Sequence, residues 1–227
     1  MEKDKIQTTI ETYNNITQEY IDFYKSNIEK GKITLQKEIK YIVSKLKNNS
    51  KILDAGTAIG EYPRYLTEKY NKNFDVIGID TSENMLKKAT DFAPKAKFLQ
   101  MDIRDLKFNS NTFDAIICFA TLIHVDDKTC INVLNKFDDI LKEEGIIAIN
   151  VMEHLKGEKE IFIKEPFNEN YMTYYNRYSK QFFIDYFTNN NYRVDRIFNK
   201  KIYKESNVGK DLSGTNEFTI IAKKIKK

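Results

Sequence analysis

The segment from Lys51 to Gly60 constrains the fold of this chain more than any other feature. A short apolar run ends at Asp54, and a turn punctuated by Gly56 and Gly60 follows before a helical pattern begins. Glycine lets a turn take left-handed backbone conformations and lets the chain approach a bound molecule closely. The segment therefore predicts a strand that runs through a ligand-binding turn into a helix.

A second apolar run leads to another acid, Asp80, about 20 residues after that turn. Nucleotide-binding α/β folds carry at this point the acid that accepts the ribose hydroxyls. A dinucleotide fingerprint, G-x-G-x-x-G, would continue from Gly56 with glycines at the positions of Ala58 and Glu61, and neither is glycine. The two segments indicate a cofactor that contains adenosine, and the failed fingerprint disfavours a nicotinamide oxidoreductase.

Strands and helices alternate strictly through the middle of the chain. The strands are predicted near 51–55, 74–79, 96–101, 113–119 and 145–152, and the helices near 60–70, 82–91 and 127–142. Runs that are apolar throughout, such as Ala115–Phe119 and Ile146–Ile149, are typical of strands covered on both faces of a parallel sheet. Alternation of this kind predicts right-handed crossovers and a doubly wound α/β sheet.

The two ends of the chain extend this core. Residues 4–30 show a helical period that Gly31 would close as a C-cap, and a second helix is predicted over about 33–47. Residues 153–178 are charged and rich in tyrosine, and they are expected to be irregular. A helix with Ser179 as its N-cap follows. Two strands, near 192–202 and 217–224 and joined by a polar loop over 204–215, complete the chain.

The pattern Asp54-x-Gly56-x-Ala58-x-Gly60 resembles the first motif of class I S-adenosylmethionine-dependent methyltransferases, an acid followed by G-x-G-x-G. Ala58 stands where the commonest form has its middle glycine. The resemblance is strong over residues 51–152 and loose elsewhere. It implies one methyltransferase domain with a Rossmann-like seven-stranded sheet, in the order 3-2-1-4-5-7-6, and helices on both faces.

Within that domain, which would span 1–227, the resemblance assigns three parts. Residues 1–48 would form an N-terminal helical lid, 49–152 the cofactor-binding core, and 153–227 a substrate-side insertion, a helix and a C-terminal hairpin. The segment from Tyr13 to Tyr20 resembles the lid of many small-molecule methyltransferases. Its two tyrosines, about two helical turns apart, would point the same way. A dimer contact through the same face is the alternative, so a homodimer stays open.

The resemblance also implies a site for S-adenosylmethionine. The backbone near Gly56 and Thr57 would hold its methionine part, and Asp80 would accept both ribose hydroxyls. The full predicted set of cofactor-binding residues is Tyr13, Tyr20, Asp54, Gly56, Thr57, Gly60, Asp80, Thr81, Met85, Asp102, Ile103 and Phe119.

The adenine end of that site would follow the third strand. By resemblance Asp102 would take the adenine amino group and the amide of Ile103 a ring nitrogen, with Asp105 as the weaker alternative to Asp102. Met85, in the helix after the second strand, fits the adenine face and the protein core equally well.

His124 follows the fourth strand, in the segment that by resemblance passes the transferring methyl group. A neutral imidazole near pH 7 could take a proton from a hydroxyl or amine nucleophile, so His124 is the predicted catalytic residue. A hydrogen-bonded structural histidine is the equal alternative. The predicted substrate-binding residues follow the fifth strand and offer flat rings with polar tips: His154, Tyr174, Tyr175 and Tyr178.

Composition bounds the setting in which this chain is expected to work. Its 227 residues are 41% hydrophobic and 31% charged, which fits a globular domain. The sequence shows no secretory signal and no apolar run of membrane-spanning length, and Cys118 and Cys130 lack metal-ligand spacing. A cytoplasmic protein with no metal and no membrane contact is expected. The net charge of +4 is mild, which disfavours nucleic acid as a partner.

The sequence therefore predicts a methyltransferase that uses S-adenosylmethionine and acts on an oxygen or nitrogen atom of a small molecule. Because the methyl group of this cofactor is already activated, such a site needs alignment and exclusion of water rather than a strong catalytic dyad. Two alternatives remain open. One is a methyltransferase of nucleic acids or proteins, which would need a basic stripe; the other is a non-catalytic module that binds the cofactor alone.

Overall fold

The computed structural model describes residues 5–29, 34–165, 167–201 and 215–226, with the backbone alone at 25–29, 201 and 215. The helices are α1 Lys5–Asn15, α2 Thr17–Glu29, α3 Gln36–Lys45, α4 Glu61–Lys69, α5 Glu83–Phe92, α6 Asp127–Ile140 and α7 Lys180–Asn189. The strands are β1 Lys51–Ala55, β2 Asp75–Asp80, β3 Lys97–Gln100, β4 Phe113–Phe119, β5 Leu141–His154, β6 Glu160–Glu165, β7 Asn168–Asn176, β8 Tyr192–Lys201 and β9 Thr215–Lys224. A 3-10 turn, Leu122–His124, follows β4.

The described strands form a seven-stranded sheet in the order β3-β2-β1-β4-β5-β9-β8 and a separate hairpin of β6 and β7. Strands β1 to β5 pair in parallel, whereas β9 runs antiparallel between β5 and β8. When the two hairpin strands are left out of the numbering, this order is the predicted 3-2-1-4-5-7-6. The prediction of a doubly wound, Rossmann-like sheet is confirmed.

Helices cover both faces of the sheet because neighbouring residues of each strand enter different cores. In β4, Ile116 and Cys118 pack in a core with side chains of α6 and α7, while Ile117 packs in a second core with side chains of α3 and α4. Side chains of successive strand residues point to opposite faces. A strand that is apolar throughout therefore fills two cores at once, as its sequence predicts.

The N-terminal helical region differs from the single helix that the sequence predicts. It bends between α1 and α2 at Ile16, which is fully buried. The hydroxyl of Thr17 donates to the carbonyl oxygens of Tyr13 at 3.1 Å and Asn14 at 3.5 Å, a side-chain bond that competes with the helix and bends it. The predicted C-cap, Gly31, lies outside the described residues, as does nearly all of the predicted loop over 204–215.

The expectation that residues 153–178 are irregular is wrong. This stretch holds the hairpin of β6 and β7, in which Phe162 pairs with Tyr174 and Ile163 with Thr173. Aromatic and β-branched side chains favour a pleated, half-buried surface, so the pattern for two strands was present in the sequence. The fifth strand also begins earlier than predicted, at Leu141, directly after α6. Among the described helices, none combines the length and apolar character needed to cross a bilayer.

Candidate active site

A cavity of about 510 Å³ lies at the carboxyl edge of the parallel strands. The turns after β1, β2, β3 and β4 form its floor, and α1 and α2 cover it. Its lining includes Tyr13, Tyr20 and Tyr24 from these helices and Phe167 and Tyr175 from the hairpin region. A cavity of this size and mainly apolar character is typical of small-molecule and cofactor sites, which lie at this edge of open α/β sheets.

The turn after β1 packs the backbone of Gly56 against the side chain of Thr121. Gly56 has φ +82°, and a Cβ atom there would lie 2.0 Å from Oγ1 of Thr121. The amides of Gly56 and Thr57 donate to the carbonyl oxygen of Ile79, at 2.8 and 2.9 Å. These two amides are therefore used inside the protein. The turn contributes a close, side-chain-free approach to the cavity, and we infer no further hydrogen bond from those N–H groups.

The acid of the first motif, Asp54, lies beneath the turn rather than in the cavity. Its side chain is buried, and its Oδ2 accepts a hydrogen bond from the hydroxyl of Thr57 at 2.6 Å. Burial raises the pKa of Asp54 to about 7, although the bond from Thr57 opposes the rise. Asp54 and Thr57 thus form a pair that supports the turn.

Asp80 ends β2 and lines the cavity with a carboxylate that the backbone already anchors. Its Oδ2 accepts the amide N–H of Ala58 and its Oδ1 accepts the amide N–H of Ser82, both at 2.9 Å. A carboxylate offers about four lone-pair positions, so room remains for two hydroxyl donors. Burial raises the pKa of Asp80, while the backbone hydrogen bonds oppose the rise. This geometry fits the ribose of an adenosyl cofactor.

The far end of the floor is formed by residues that follow β3. Asp102 and Ile103 both line the cavity, as predicted for adenine. Arg104 also lines it, and its guanidinium holds Asp102 through Nε at 3.0 and 2.9 Å and Nη2 at 2.6 Å. The sequence reasoning missed this ion pair. It fixes the orientation of the carboxylate that would meet the adenine amino group.

His124 lines the cavity in a defined tautomer. Its Nδ1 lies 2.9 Å from the backbone carbonyl oxygen of Tyr174, which can only accept, so the proton is assigned to Nδ1. Nε2 is then an acceptor, and the hydroxyl of Tyr13 lies 3.4 Å from it. Burial lowers the pKa of His124 to about 4, so the ring is neutral at pH 7.

Tyr13 and Tyr20 lie in different surroundings and have different aromatic neighbours. Tyr13 contacts His124, with ring centroids 5.4 Å apart, whereas Tyr20 packs with Tyr24 at 4.8 Å and Phe167 at 5.0 Å. Because the helix bends between them, the two tyrosines cover different parts of the cavity. The prediction that both belong to its roof stays consistent with their positions.

The remaining predicted site residues divide into two groups. Phe119, Thr81, Met85 and Tyr175 line the cavity, whereas Asp54, Thr57, Gly60, His154, Tyr174 and Tyr178 do not. The last three, which the sequence predicts to bind substrate, lie outside this lining, and their side chains or backbones make contacts within the protein. Tyr178 donates to the carbonyl oxygens of Leu122 and Val125, at 3.0 and 2.7 Å. His154 Nε2 contacts the carbonyl oxygen of Gly157 at 2.9 Å.

Three cavity residues come from parts of the chain in which the sequence predicted no site. These residues are Met152 of β5, Lys200 of β8 and Glu217 of β9. The side chains of Lys200 and Glu217 pair at 3.1 Å. No short motif marks these residues. Because they lie far from the first motif in the sequence, the sequence alone does not predict that they meet the cavity. Among the described residues, no group of His, Cys, Asp and Glu side chains is arranged to hold a metal ion.

Comparisons with known proteins agree with this geometry. The family described as Methyltransferase domain matches residues 52–145. The chain is 28% identical over 173 residues to the carboxy-S-adenosyl-L-methionine synthase of Nautilia profundicola, covering 74% of this chain and 67% of that protein. It is 34% identical over 108 residues to phosphoethanolamine N-methyltransferase 3 of Arabidopsis thaliana, covering 46% of this chain and 21% of that protein.

A solved structure extends the similarity to the whole fold. The crystal structure of a SAM-dependent methyltransferase from Methanosarcina mazei superposes with a TM-score of 0.70 at 19% identity, covering 82% of this chain and 98% of that one. At this identity the likeness concerns the fold alone.

Proposed function

Because this chain belongs to the class I S-adenosylmethionine-dependent methyltransferases, we propose that it methylates an oxygen or nitrogen atom of a small molecule. The observation that carries this proposal is the pair of Tyr13 and His124, which places an unprotonated imidazole nitrogen at a cavity covered by the N-terminal helices. Such a nitrogen can accept the proton that an O–H or N–H nucleophile loses on methylation.

The floor of the cavity is suited to hold the cofactor. In this proposal Asp80 accepts the ribose hydroxyls, Asp102 and the amide of Ile103 meet the adenine, and the turn at Gly56 borders the methionine part. S-adenosylmethionine supplies a methyl group that its sulfonium already activates. The residues of this chain are therefore left with three tasks, which are to orient the acceptor, to exclude water and to remove a proton.

The size and charge of the cavity favour a small acceptor over a polymer. Helices α1 and α2 cover the site, and their rings, Tyr20, Phe23 and Tyr24, form an apolar roof with Phe167. Of the described cavity residues, Arg104 and Lys200 carry positive charge, and each is paired with a carboxylate. No basic stripe of the kind that tracks a phosphate backbone lines this site in the described chain.

One relative supports the same class of acceptor. The plant protein is named for phosphoethanolamine, a small amine. An amine acceptor is accordingly the first to test, with a phenol or alcohol as the second.

The test is methyl transfer from methyl-labelled S-adenosylmethionine to a panel of ethanolamine-type amines, N-methylated glycines and phenols, against a blank without acceptor. His124→Ala should lower turnover by about a hundredfold or more, because a positioned base contributes on the order of 10²–10⁴ in rate. Affinity for S-adenosylhomocysteine should barely change. His154→Ala is the matched control, since that ring contacts Gly157 outside the cavity.

Two outcomes would contradict the proposal. One is labelling of added RNA or protein while the entire small-molecule panel stays at the blank. The other is a His124→Ala variant that keeps the turnover of the wild type at several pH values, which would make His124 structural and leave alignment alone to drive the reaction.

A further inference from the structure

A buried acid, Glu165, lies behind the wall of the cavity, at the end of β6. It is fully buried. Its Oε2 accepts hydrogen bonds from the hydroxyls of Thr173 at 2.8 Å and Tyr175 at 3.1 Å, while its Oε1 has no hydrogen-bond partner among the residues that the structure describes. A carboxyl group is costly to bury with an unused oxygen, because each unsatisfied polar atom retains its desolvation penalty. Such a group needs an explanation.

Hydroxyl groups connect this acid to the active-site histidine. Tyr175 lines the cavity and donates to Glu165. The hydroxyls of Tyr13 and Tyr175 interact, which raises the pKa of Tyr13 and opposes the rise in that of Tyr175, and the hydroxyl of Tyr13 lies 3.4 Å from Nε2 of His124. These contacts arrange His124, Tyr13, Tyr175 and Glu165 in a series that leads from the reacting end of the cavity into the protein interior.

We propose that Glu165 is the terminal acceptor of a proton relay that runs from His124 through the hydroxyls of Tyr13 and Tyr175. The inference rests on the proposed function, because it concerns the proton that the acceptor loses on methylation. Glu165 does not touch the acceptor. It acts through the two tyrosines and restores His124 to its neutral form.

The protons balance along this path. As the bond between the acceptor atom and the methyl carbon forms and the methyl–sulfur bond breaks, the O–H or N–H proton of the acceptor passes to Nε2 of His124. Nε2 then gives a proton to the oxygen of Tyr13, Tyr13 gives its own to Tyr175, and Tyr175 gives its own to Oε2 of Glu165. The histidine ends neutral and the glutamate ends protonated. Release of that proton to solvent completes a turnover.

The surroundings of His124 and Glu165, the two ends of the relay, favour proton transfer from the histidine to the glutamate. Burial lowers the pKa of His124 to about 4 and raises the pKa of Glu165. A proton on the imidazole is therefore less stable than a proton on the carboxylate. The groups that face Glu165 are hydroxyls, from Thr173 and Tyr175 of β7 and, further off, from Tyr13 of α1 and Tyr24 of α2. Among its described hydrogen-bond partners, none is a cation that would keep the carboxylate charged.

One arm of the test needs no acceptor. The chain has two histidines, so the imidazole ¹⁵N resonances of His124 can be assigned with a His154→Asn variant. The carboxyl ¹³C resonance of Glu165 is assigned by its loss in Glu165→Gln. In the wild type, Nε2 of His124 should shift at the pH at which Glu165 titrates. That shift should vanish in Tyr175→Phe and persist in Tyr171→Phe, a control on the same strand outside the cavity lining.

The second arm measures turnover on the acceptor that the methylation panel identifies. Glu165→Gln keeps an acceptor oxygen for Tyr175 but cannot take a proton, so kcat should fall at least about tenfold while KM for S-adenosylmethionine and the melting temperature change little. The wild type should lose activity at low pH as Glu165 becomes protonated, and the variant should lack this acidic limb.

The two arms separate the possible failures. The relay would be overturned if the Nε2 resonance of His124 did not shift when Glu165 titrates. A Glu165→Gln variant with wild-type kcat and an unchanged pH profile would also overturn it. A variant that only lowers the melting temperature and raises KM would assign Glu165 a purely structural role, which also overturns it. If no acceptor is found, the first arm still decides the relay, so its failure is distinct from that of the proposed function.

Discussion

Asp80 combines two roles in a single side chain. Its carboxylate holds the turn after β1 by accepting the amide of Ala58, and it faces the cavity in which a ribose would lie. Ala58 takes φ +45°, a left-handed conformation that a residue with a side chain adopts at a cost of roughly 1–2 kcal/mol. The bond from its amide to Asp80 helps to offset this cost. Asp80 therefore stabilises the turn that lies beside it in the cavity.

Asp80→Ala should weaken S-adenosylhomocysteine binding about ten- to a hundredfold, because charge-assisted hydrogen bonds are worth roughly 1.5–3 kcal/mol. Calorimetry measures the affinity. A lower melting temperature is also expected, since the amides of Ala58 and Ser82 lose their acceptor. Asp75→Asn is the control: this acid begins the same strand and pairs with Lys97 at 3.0 Å, away from the cavity. Unchanged affinity in the Asp80 variant would remove this residue from the site.

At the scale of elements, α1 is fixed to the cofactor-binding core and to the hairpin. The carbonyl oxygen of Asn14 accepts from Asn84 at 2.9 Å, and its side-chain oxygen accepts from the hydroxyl of Ser82 at 2.8 Å. Thr12 donates to the carbonyl oxygen of Met172 at 3.3 Å. These bonds bridge the helix after β2 and the strand β7. They hold Tyr13 over His124, which suits a lid and leaves the alternative of a dimer contact to experiment.

Asn14→Ala should loosen this lid, because Ser82 loses an acceptor at the bend between α1 and α2. One neutral hydrogen bond contributes about 0.5–1.5 kcal/mol, so KM for the cofactor should rise roughly two- to tenfold with faster proteolysis of the N-terminal helices. Asn15→Ala is the matched control, since that side chain bonds within the exposed face of α1. Wild-type KM with an altered sedimentation coefficient would favour the dimer alternative over the lid.

At the scale of the molecule, the cavity draws on segments from both ends and from the middle of the described chain. The floor comes from the parallel strands, the roof from α1 and α2, one wall from the hairpin and another from β8 and β9. Closing such a cavity buries acids beneath it. Burial raises the pKa of Asp54 and of Glu61 to about 7 in each case and lowers that of His124 to about 4. Stability should therefore depend on pH.

The variant Asp54→Asn isolates the contribution of Asp54 to the pH dependence of stability. The folded-state pKa of Asp54, about 7, lies above its ordinary value of 3.8, so the folded protein holds the proton that the unfolded chain loses between these values. The wild type therefore loses stability as pH rises through this window. His124 has the opposite sign, because its folded pKa lies below its ordinary value.

The variant should be close to the wild type at about pH 3.5, below the ordinary pKa of Asp54, and should exceed it at about pH 8. One pKa unit corresponds to about 1.4 kcal/mol, so the advantage at pH 8 should be on the order of a few kcal/mol. Asn keeps an oxygen that can accept from Thr57. Urea unfolding of both proteins at the two pH values measures the difference, and a difference that does not change with pH would contradict the assignment.

The sequence by itself predicted the doubly wound sheet, because apolar runs and turns are local signals, while the strand order followed from the family resemblance. The glycine turn and the acids are short patterns in the sequence, and Gly56, Asp80 and Asp102 line the cavity. The side of the cavity that we propose for the acceptor was decided by tertiary structure. Tyr13 is far in the chain from Glu165 and Tyr175, which are themselves 10 residues apart, and only the hairpin of β6 and β7 together with the packing of α1 brings their hydroxyl and carboxyl groups together. No local pattern encodes such a contact, since a buried acid between two tyrosines looks in the sequence like any exposed one.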